Sequence, residues 1–175
     1  MADDAIIPDT KDWTWVLEQP CAECGFRAEE VDGPQVPALV AECAVRWERV
    51  LTRPDVATRP APDVWSPLEY ACHVRDVFRV FDERAALMLA QDGPTFANWD
   101  QDATALAERY AEQDPGQVAV DLAATADGAA ATFASVQADQ WARRGFRSNG
   151  SVFTVESLAK YFVHDVVHHL HDVQG

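Results

Sequence analysis

At 175 residues the chain has the length of one domain with room for a real core, and 48% hydrophobic residues, six Trp and eight Phe among them, exclude a disordered chain. A formal net charge of −15 excludes nucleic acid and anionic membrane surfaces as partners, because both would repel it. The start, MADDAIIPDTKDW, has neither a basic n-region nor an apolar run, and no stretch approaches the ~20 apolar residues that span a bilayer, so a cytoplasmic protein with mainly reduced cysteines is expected.

Residues 1–33 read as an irregular arm ahead of a helical body at 34–175. Trp13, Trp15, Val16 and Leu17 suit an apolar clasp against that body. Cys21-Ala-Glu-Cys24-Gly25 follows, a C-x-x-C-G turn that is half of a zinc knuckle. A structural zinc normally takes four protein ligands, and there is no second C-x-x-C. Three readings stay open for Cys21 and Cys24: a structural turn, part of a second metal site, or a redox pair. The redox reading wants a βαβ context that is absent. In one variant the arm reaches the histidines of the last helix and lends them a thiolate.

Residues 34–53 form the first long helix, with Val36, Leu39, Val40, Cys43, Trp47, Val50 and Leu51 at three- and four-residue steps. Pro54 and Pro60 punctuate the loop that follows. Ser66-Pro67-Leu68-Glu69 is a capping box with proline at the first helical position, and starts a helix reaching about residue 91. Its buried face carries Val74, Val77, Phe78, Phe81, Ala85 and Met88, with His73 at the edge. A histidine there is either a core residue bonded to a carbonyl or a ligand. Cys43 and Cys72 read as small, unpaired core residues.

Residues 93–102 read as a loop that carries Trp99, residues 103–113 as a short helix, and residues 117–139 as an Ala-rich third long helix. Residues 141–153 break the helical pattern around Asn149-Gly150, which suits a small hairpin. Arg143, Arg144 and Arg147 are either an exposed charged loop or a grip for a substrate carboxylate. Arg147 and Trp99 are the candidate substrate-binding residues.

The last helix, residues 154–173, holds four of the five histidines. His164 and His168 stand at i and i+4, on one face, where two imidazoles can grip one metal ion. His171 lies one turn further, while His169 points about 140° away from His164 at ~3.6 residues per turn. The alternative is a solvated helix end, where His⁺ favours the dipole. With no alternating strand pattern beyond the hairpin, the fold class is all-α: a four-helix bundle with a short extra helix and the second and last long helices adjacent.

The stretches WSPLEYACHVRDVF and FVHDVVHHLHDV resemble the DinB-like superfamily, which includes mycothiol- and bacillithiol-dependent enzymes and the N-terminal domains of mycothiol-dependent maleylpyruvate isomerases. The resemblance covers roughly residues 35–173, and the linker WDQDATALAERYAEQDP looks like actinobacterial members; the C-x-x-C arm lies outside the pattern. It implies up-down-down-up connections and a divalent metal held by one histidine of the second helix and an HxxxH pair of the last. Carried over, these are His73, His164 and His168. In maleylpyruvate isomerases one last-helix position can be Glu; on this carry-over both are His.

Three neutral imidazoles would leave open positions on the metal, with zinc the best fit and nickel or iron alternatives. Such a site stabilises a bound thiolate, hydroxide or enolate. The expected activity is a thiol-dependent, mycothiol-type S-transferase or isomerase, whose partners are a low-molecular-weight thiol and an electrophilic substrate, with a homodimer open as the assembly. A metal-dependent hydrolase with Asp76, Glu156 or Asp165 as base is the second reading, and a bundle that binds metal or ligand without turnover the third. The transferase requires a groove beside the metal; the binding-only reading requires the arm to plug it.

Overall fold

A computed structural model of the chain describes residues 6–175. The four long helices are α1 (Val36–Leu51), α2 (Pro67–Ala90), α4 (Pro115–Ala134) and α5 (Val155–Asp172), with the short α3 (Gln101–Ala107) between α2 and α4. α4 packs on both α1 and α2, and α5 does the same. Contacts along the helices set the directions. Cys72 and Asp76 of α2 meet Gln113 and Tyr110 just ahead of α4, and Asp82 meets Thr132 near its end, so α2 and α4 run parallel. His73 meets Asp165 while Phe81, two turns on, meets Tyr161, so α2 and α5 run antiparallel. Arg53, just past α1, donates to the Val173 carbonyl at 2.6 Å, which brings the C-terminal ends of α1 and α5 together. The four-helix bundle is therefore connected up-down-down-up.

The helix starts expected from sequence are built as such. Ser66 and Glu69 exchange hydrogen bonds with each other's backbone N–H, and Thr154 does the same with Ser157. The core along the bundle axis is aromatic: Phe162 of α5 packs on Phe78 and Phe81 of α2 and on Phe133 of α4, at ring centroid distances of 5.7, 5.2 and 5.6 Å. Cys43 and Cys72 are buried free thiols. Among the described residues no helix is long and apolar enough to cross a membrane.

Two regions are more ordered than their sequence suggests. The expected hairpin is present as β2 (Arg144–Arg147) and β3 (Val152–Thr154), antiparallel. The stretch read as a loop supplies a third strand, β1 (Thr95–Phe96), parallel to β2. Two residues are too few for an alternating pattern to show. The pairing is possible because Gly145 lies against Met88 and Phe96: a Cβ there would sit 2.7 Å from the Met88 sulfur. The arm is not loose either. It forms 3₁₀ turns at Trp13–Leu17, Ala28–Glu30 and Gly33–Gln35, and buries Val16, Cys21, Phe26 and Ala28.

Glu69 is buried and accepts from Arg59 Nη2 at 2.6 Å, Arg59 Nε at 3.0 Å and the Ser66 amide at 2.8 Å. Burial alone would raise its carboxyl, but these donors outweigh it and hold it below its usual range. Glu69→Ala is expected to cost about 3 kcal/mol, since it leaves a buried amide and a half-buried guanidinium without this acceptor. A group held low in the fold stabilises fully above its unfolded value of ~4.3 and loses that contribution as pH falls through the folded one. Urea titrations of both proteins should therefore stay apart at pH 7 and draw together only as pH falls below the unfolded value of ~4.3 and through the lower folded one.

Candidate metal centres

α5 carries two sets of metal-binding side chains on different faces. Its core stripe, Leu158, Phe162, Val166 and Leu170, is buried in the bundle. His164 and His168 lie to one side of that stripe and meet the arm. Asp165 and His169 are each one residue later, hence rotated by about 100°, and meet α2.

The first cluster joins Cys21, Cys24, His164 and His168, with one donor atom from each within 4.8 Å of all the others. Cys21 Sγ is 3.7 Å from His168 Nδ1. Trp13 covers both imidazoles, with centroids 5.6 Å from His164 and 4.9 Å from His168, and Phe26 meets His164 edge-on at 5.3 Å. His164 Nε2 is buried without a hydrogen-bond partner among the described residues. Burial pushes the His164 imidazole down to about 4 and the Cys24 thiol up to about 11.

The second cluster joins His73, Asp165 and His169, again with donor atoms within 4.8 Å of one another. His73 Nε2 lies 3.3 Å from Asp165 Oδ1, and His169 Nε2 lies 3.6 Å from the same oxygen. The His73 and His169 rings meet edge-on at 4.8 Å. His73 is fully buried under Trp99, which stacks parallel to it at 5.3 Å. His169 Nδ1 is held by Asp172 at 2.8 Å, which leaves Nε2 directed at the cluster. Burial holds His73 below its usual value and favours the neutral, ligating form. Burial would raise Asp165, but the hydrogen bond and charge of His73, joined by His169, hold it at about 2, so the carboxylate is ionised.

The expected trio of His73, His164 and His168 is thus not what the fold brings together. α5 turns its HxxxH pair towards the arm and its Asp165-x-x-x-His169 pair towards His73. Asp165, weighed from the sequence only as a base, lies between His73 and His169, and it is His169, which points away from His164 on the helical wheel, that meets His73. His171 is exposed. The sequence carries a signal for this second pair as well: D-x-x-x-H has the same i, i+4 spacing as H-x-x-x-H.

A cavity of about 900 Å³ is walled by Trp13, Trp99, Arg147 and Tyr161; α5 lines it with Asp165 and His169 of the second cluster and with His164 and His168 of the first, while His73 is fully buried behind this lining. Both candidate substrate-binding residues therefore line it. Arg147 is nearly buried, anchored to Asn149 and Ser151 at 2.9 Å each, and lies over the Phe153 and Tyr161 rings. The basic cluster splits: Arg143 is tied to the Leu89 carbonyl and Arg144 is exposed on the sheet. Asp76 is held by Arg75 and by the Tyr110 hydroxyl, and Glu156 pairs with Lys160, so neither is placed to serve as a base in the cavity.

The donor chemistry of the second cluster fits a catalytic divalent metal. Two imidazoles and a carboxylate make a three-ligand set that leaves positions open for water or substrate. A neutral His73, an ionised Asp165 and an outer carboxylate on His169 suit such a site; burial would lower His169, but Asp172 and Asp165 hold it above its usual value, so a metal at its Nε2 would have to displace that proton.

Comparison with known proteins agrees with the architecture. No curated protein matches the chain significantly. Among solved structures it is similar to YfiT from Bacillus subtilis, described as "a probable metal-dependent hydrolase with an unusual four-helix bundle topology". The two share 17% identity and a TM-score of 0.70, over 79% of this chain and 82% of that one, which is likeness of fold. The model of the DinB superfamily matches residues 27–173, from the end of the C-x-x-C arm to the last turn of α5, and the chain belongs to that superfamily.

Proposed function

We propose that the chain is a metal-dependent, thiol-using transferase or isomerase whose reaction centre is His73, Asp165 and His169. The observation that carries this reading is that Asp165 and His169, two of the three donors of a two-histidine, one-carboxylate set, line a cavity of about 900 Å³ with His73 buried beside them. A metal held by these three residues would lower the pKa of a thiol or water at its open positions and so supply a nucleophile near neutral pH. Zinc is the first choice, with nickel or iron fitting the same ligands. The carboxylate brings the site closer to the maleylpyruvate isomerase pattern, in which a last-helix ligand can be acidic.

The chain's own residues do the rest. Trp99 and Trp65 hold the His73 ring in place, and Asp172 orients His169. Among the described residues the arm, from Ile6 on, forms a wall of the cavity without filling it, which favours turnover over a plugged binding site. Trp13, Trp99 and Tyr161 offer flat aromatic faces and Arg147 a cation, a lining suited to a sugar-linked thiol and an anionic electrophile. A cytoplasmic location, where small thiols stay reduced, suits this chemistry.

A hydrolase using the same three ligands is the second reading, favoured by the fold shared with YfiT. Calorimetry of the metal-loaded protein with mycothiol separates the two. Saturable heat that disappears in His73→Ala is expected. A loaded protein that gives no heat with mycothiol but hydrolyses ester or amide substrates would replace the transferase with the hydrolase.

A further inference from the structure

We infer that Cys21, Cys24, His164 and His168 form a second metal site, a coordinatively closed zinc centre that fastens the N-terminal arm to α5. The ligands are C-x₂-C and H-x₃-H, the two halves of a Cys₂His₂ set, brought together although Cys21 and His168 stand 147 positions apart in the chain. Zn–S of ~2.3 Å and Zn–N of ~2.0 Å at a tetrahedral angle put sulfur and nitrogen roughly 3.5 Å apart. Cys21 Sγ and His168 Nδ1 are 3.7 Å apart.

Three further features point to an ion at this spot. The first is the orphaned Nε2 of His164, a buried ring nitrogen that hydrogen bonding among the described residues leaves unsatisfied. The second is His168, whose Nε2 faces Glu23 at 3.4 Å and Asp172 at 3.8 Å. Carboxylates behind one nitrogen fix the ring with the other, Nδ1, towards the sulfur, as outer partners of ligating histidines do. The third is the turn itself. Gly25, at φ +76°, donates its N–H to the Cys21 carbonyl, Cys21 donates to the Phe26 carbonyl, and the Phe26 N–H is directed at the Cys24 sulfur. Only a residue free to take positive φ closes such a turn without strain.

The donor set also decides the role. On binding, two thiol protons leave to solvent, and two thiolates cancel the charge of Zn²⁺. A neutral centre tolerates the apolar cover of Trp13 and Phe26. Four protein ligands leave no position for substrate, so the centre is structural. Its work is to hold the arm, and with it the Trp13 wall of the cavity. The assignment is independent of what the open cluster catalyses.

The test uses the full-length protein, stripped of metal and reloaded with cobalt(II) or zinc. Cobalt should give a thiolate-to-metal charge-transfer band in the near ultraviolet, which two imidazoles and a carboxylate do not. Zinc content should be two equivalents, falling to one in the Cys21→Ser/Cys24→Ser protein, whose circular dichroism stays helical and whose arm is cut faster by protease. His73→Ala should also fall to one equivalent but keep the thiolate band. Absence of that band in the wild-type protein overturns the proposal, as does a Cys21–Cys24 disulfide found by mass spectrometry in place of metal. If the double variant does not fold, the cobalt spectra of wild type and His73→Ala still decide. A wild-type protein with one equivalent and a full thiolate band would sink the open site and leave the closed one standing.

Discussion

His169→Ala is expected to empty the open metal site, with a loss of affinity well beyond the ~10–100-fold that removing an outer hydrogen-bond partner costs. Among the described residues the ring is one of three donors in the cluster, and its Nε2 is 3.6 Å from the Asp165 oxygen that also faces His73. No neighbour on α5 can substitute: His168 is turned to Cys21 and His171 is exposed. The change should leave the bundle intact, since the aromatic core lies deeper along the axis. Metal analysis of zinc-loaded protein should show the loss of one equivalent, and any thiol binding measured by calorimetry should disappear with it. His171→Ala is the control and should change neither. If His169→Ala keeps its full metal content while His164→Ala abolishes thiol binding, the reaction centre lies on the HxxxH face and the assignment here is reversed.

Phe162→Ala carries the largest expected loss of stability. The side chain is fully buried, and three other phenylalanine rings, from α2 and α4, lie within 5.2 to 5.7 Å of its centroid. Truncation removes the transfer free energy of a benzyl group and leaves a cavity that the packed helices α2 and α4 close poorly. Losses of this kind run to about 3–5 kcal/mol, against a total of about 5–15 kcal/mol for a domain. Urea denaturation should show the midpoint falling by a large fraction of its value with little change in slope. Phe162 also sets the rotation of α5, so the variant should weaken the open site even where it remains folded. Unchanged stability would mean that the bundle is not organised around this ring cluster.

The fate of the histidines shows how far a sequence carries. Periodicity, the Ser66–Glu69 and Thr154 caps and the Asn149-Gly150 turn are local, and they determined the four long helices, the hairpin and the burial of Cys43 and Cys72. Spacing also determined that pairs four apart on α5 share a face. It did not determine which pair faces α2. Relative angles on one helix follow from ~3.6 residues per turn, but absolute rotation follows from packing against neighbours. Seating Leu158, Phe162, Val166 and Leu170 in the core aimed Asp165 and His169 at His73 and left His164 and His168 to the arm. The C-x-x-C turn posed the same difficulty at longer range. Each half of the Cys₂His₂ set is legible alone, yet Cys21 and His168 stand 147 positions apart in the chain, where no local pattern links them. Strand β1 is too short to alternate and exists because Gly145 lets Phe96 and Met88 come close. Local chemistry, in short stretches, set which elements form and which side chains can ligate; the packing of the finished bundle decided which ligands meet.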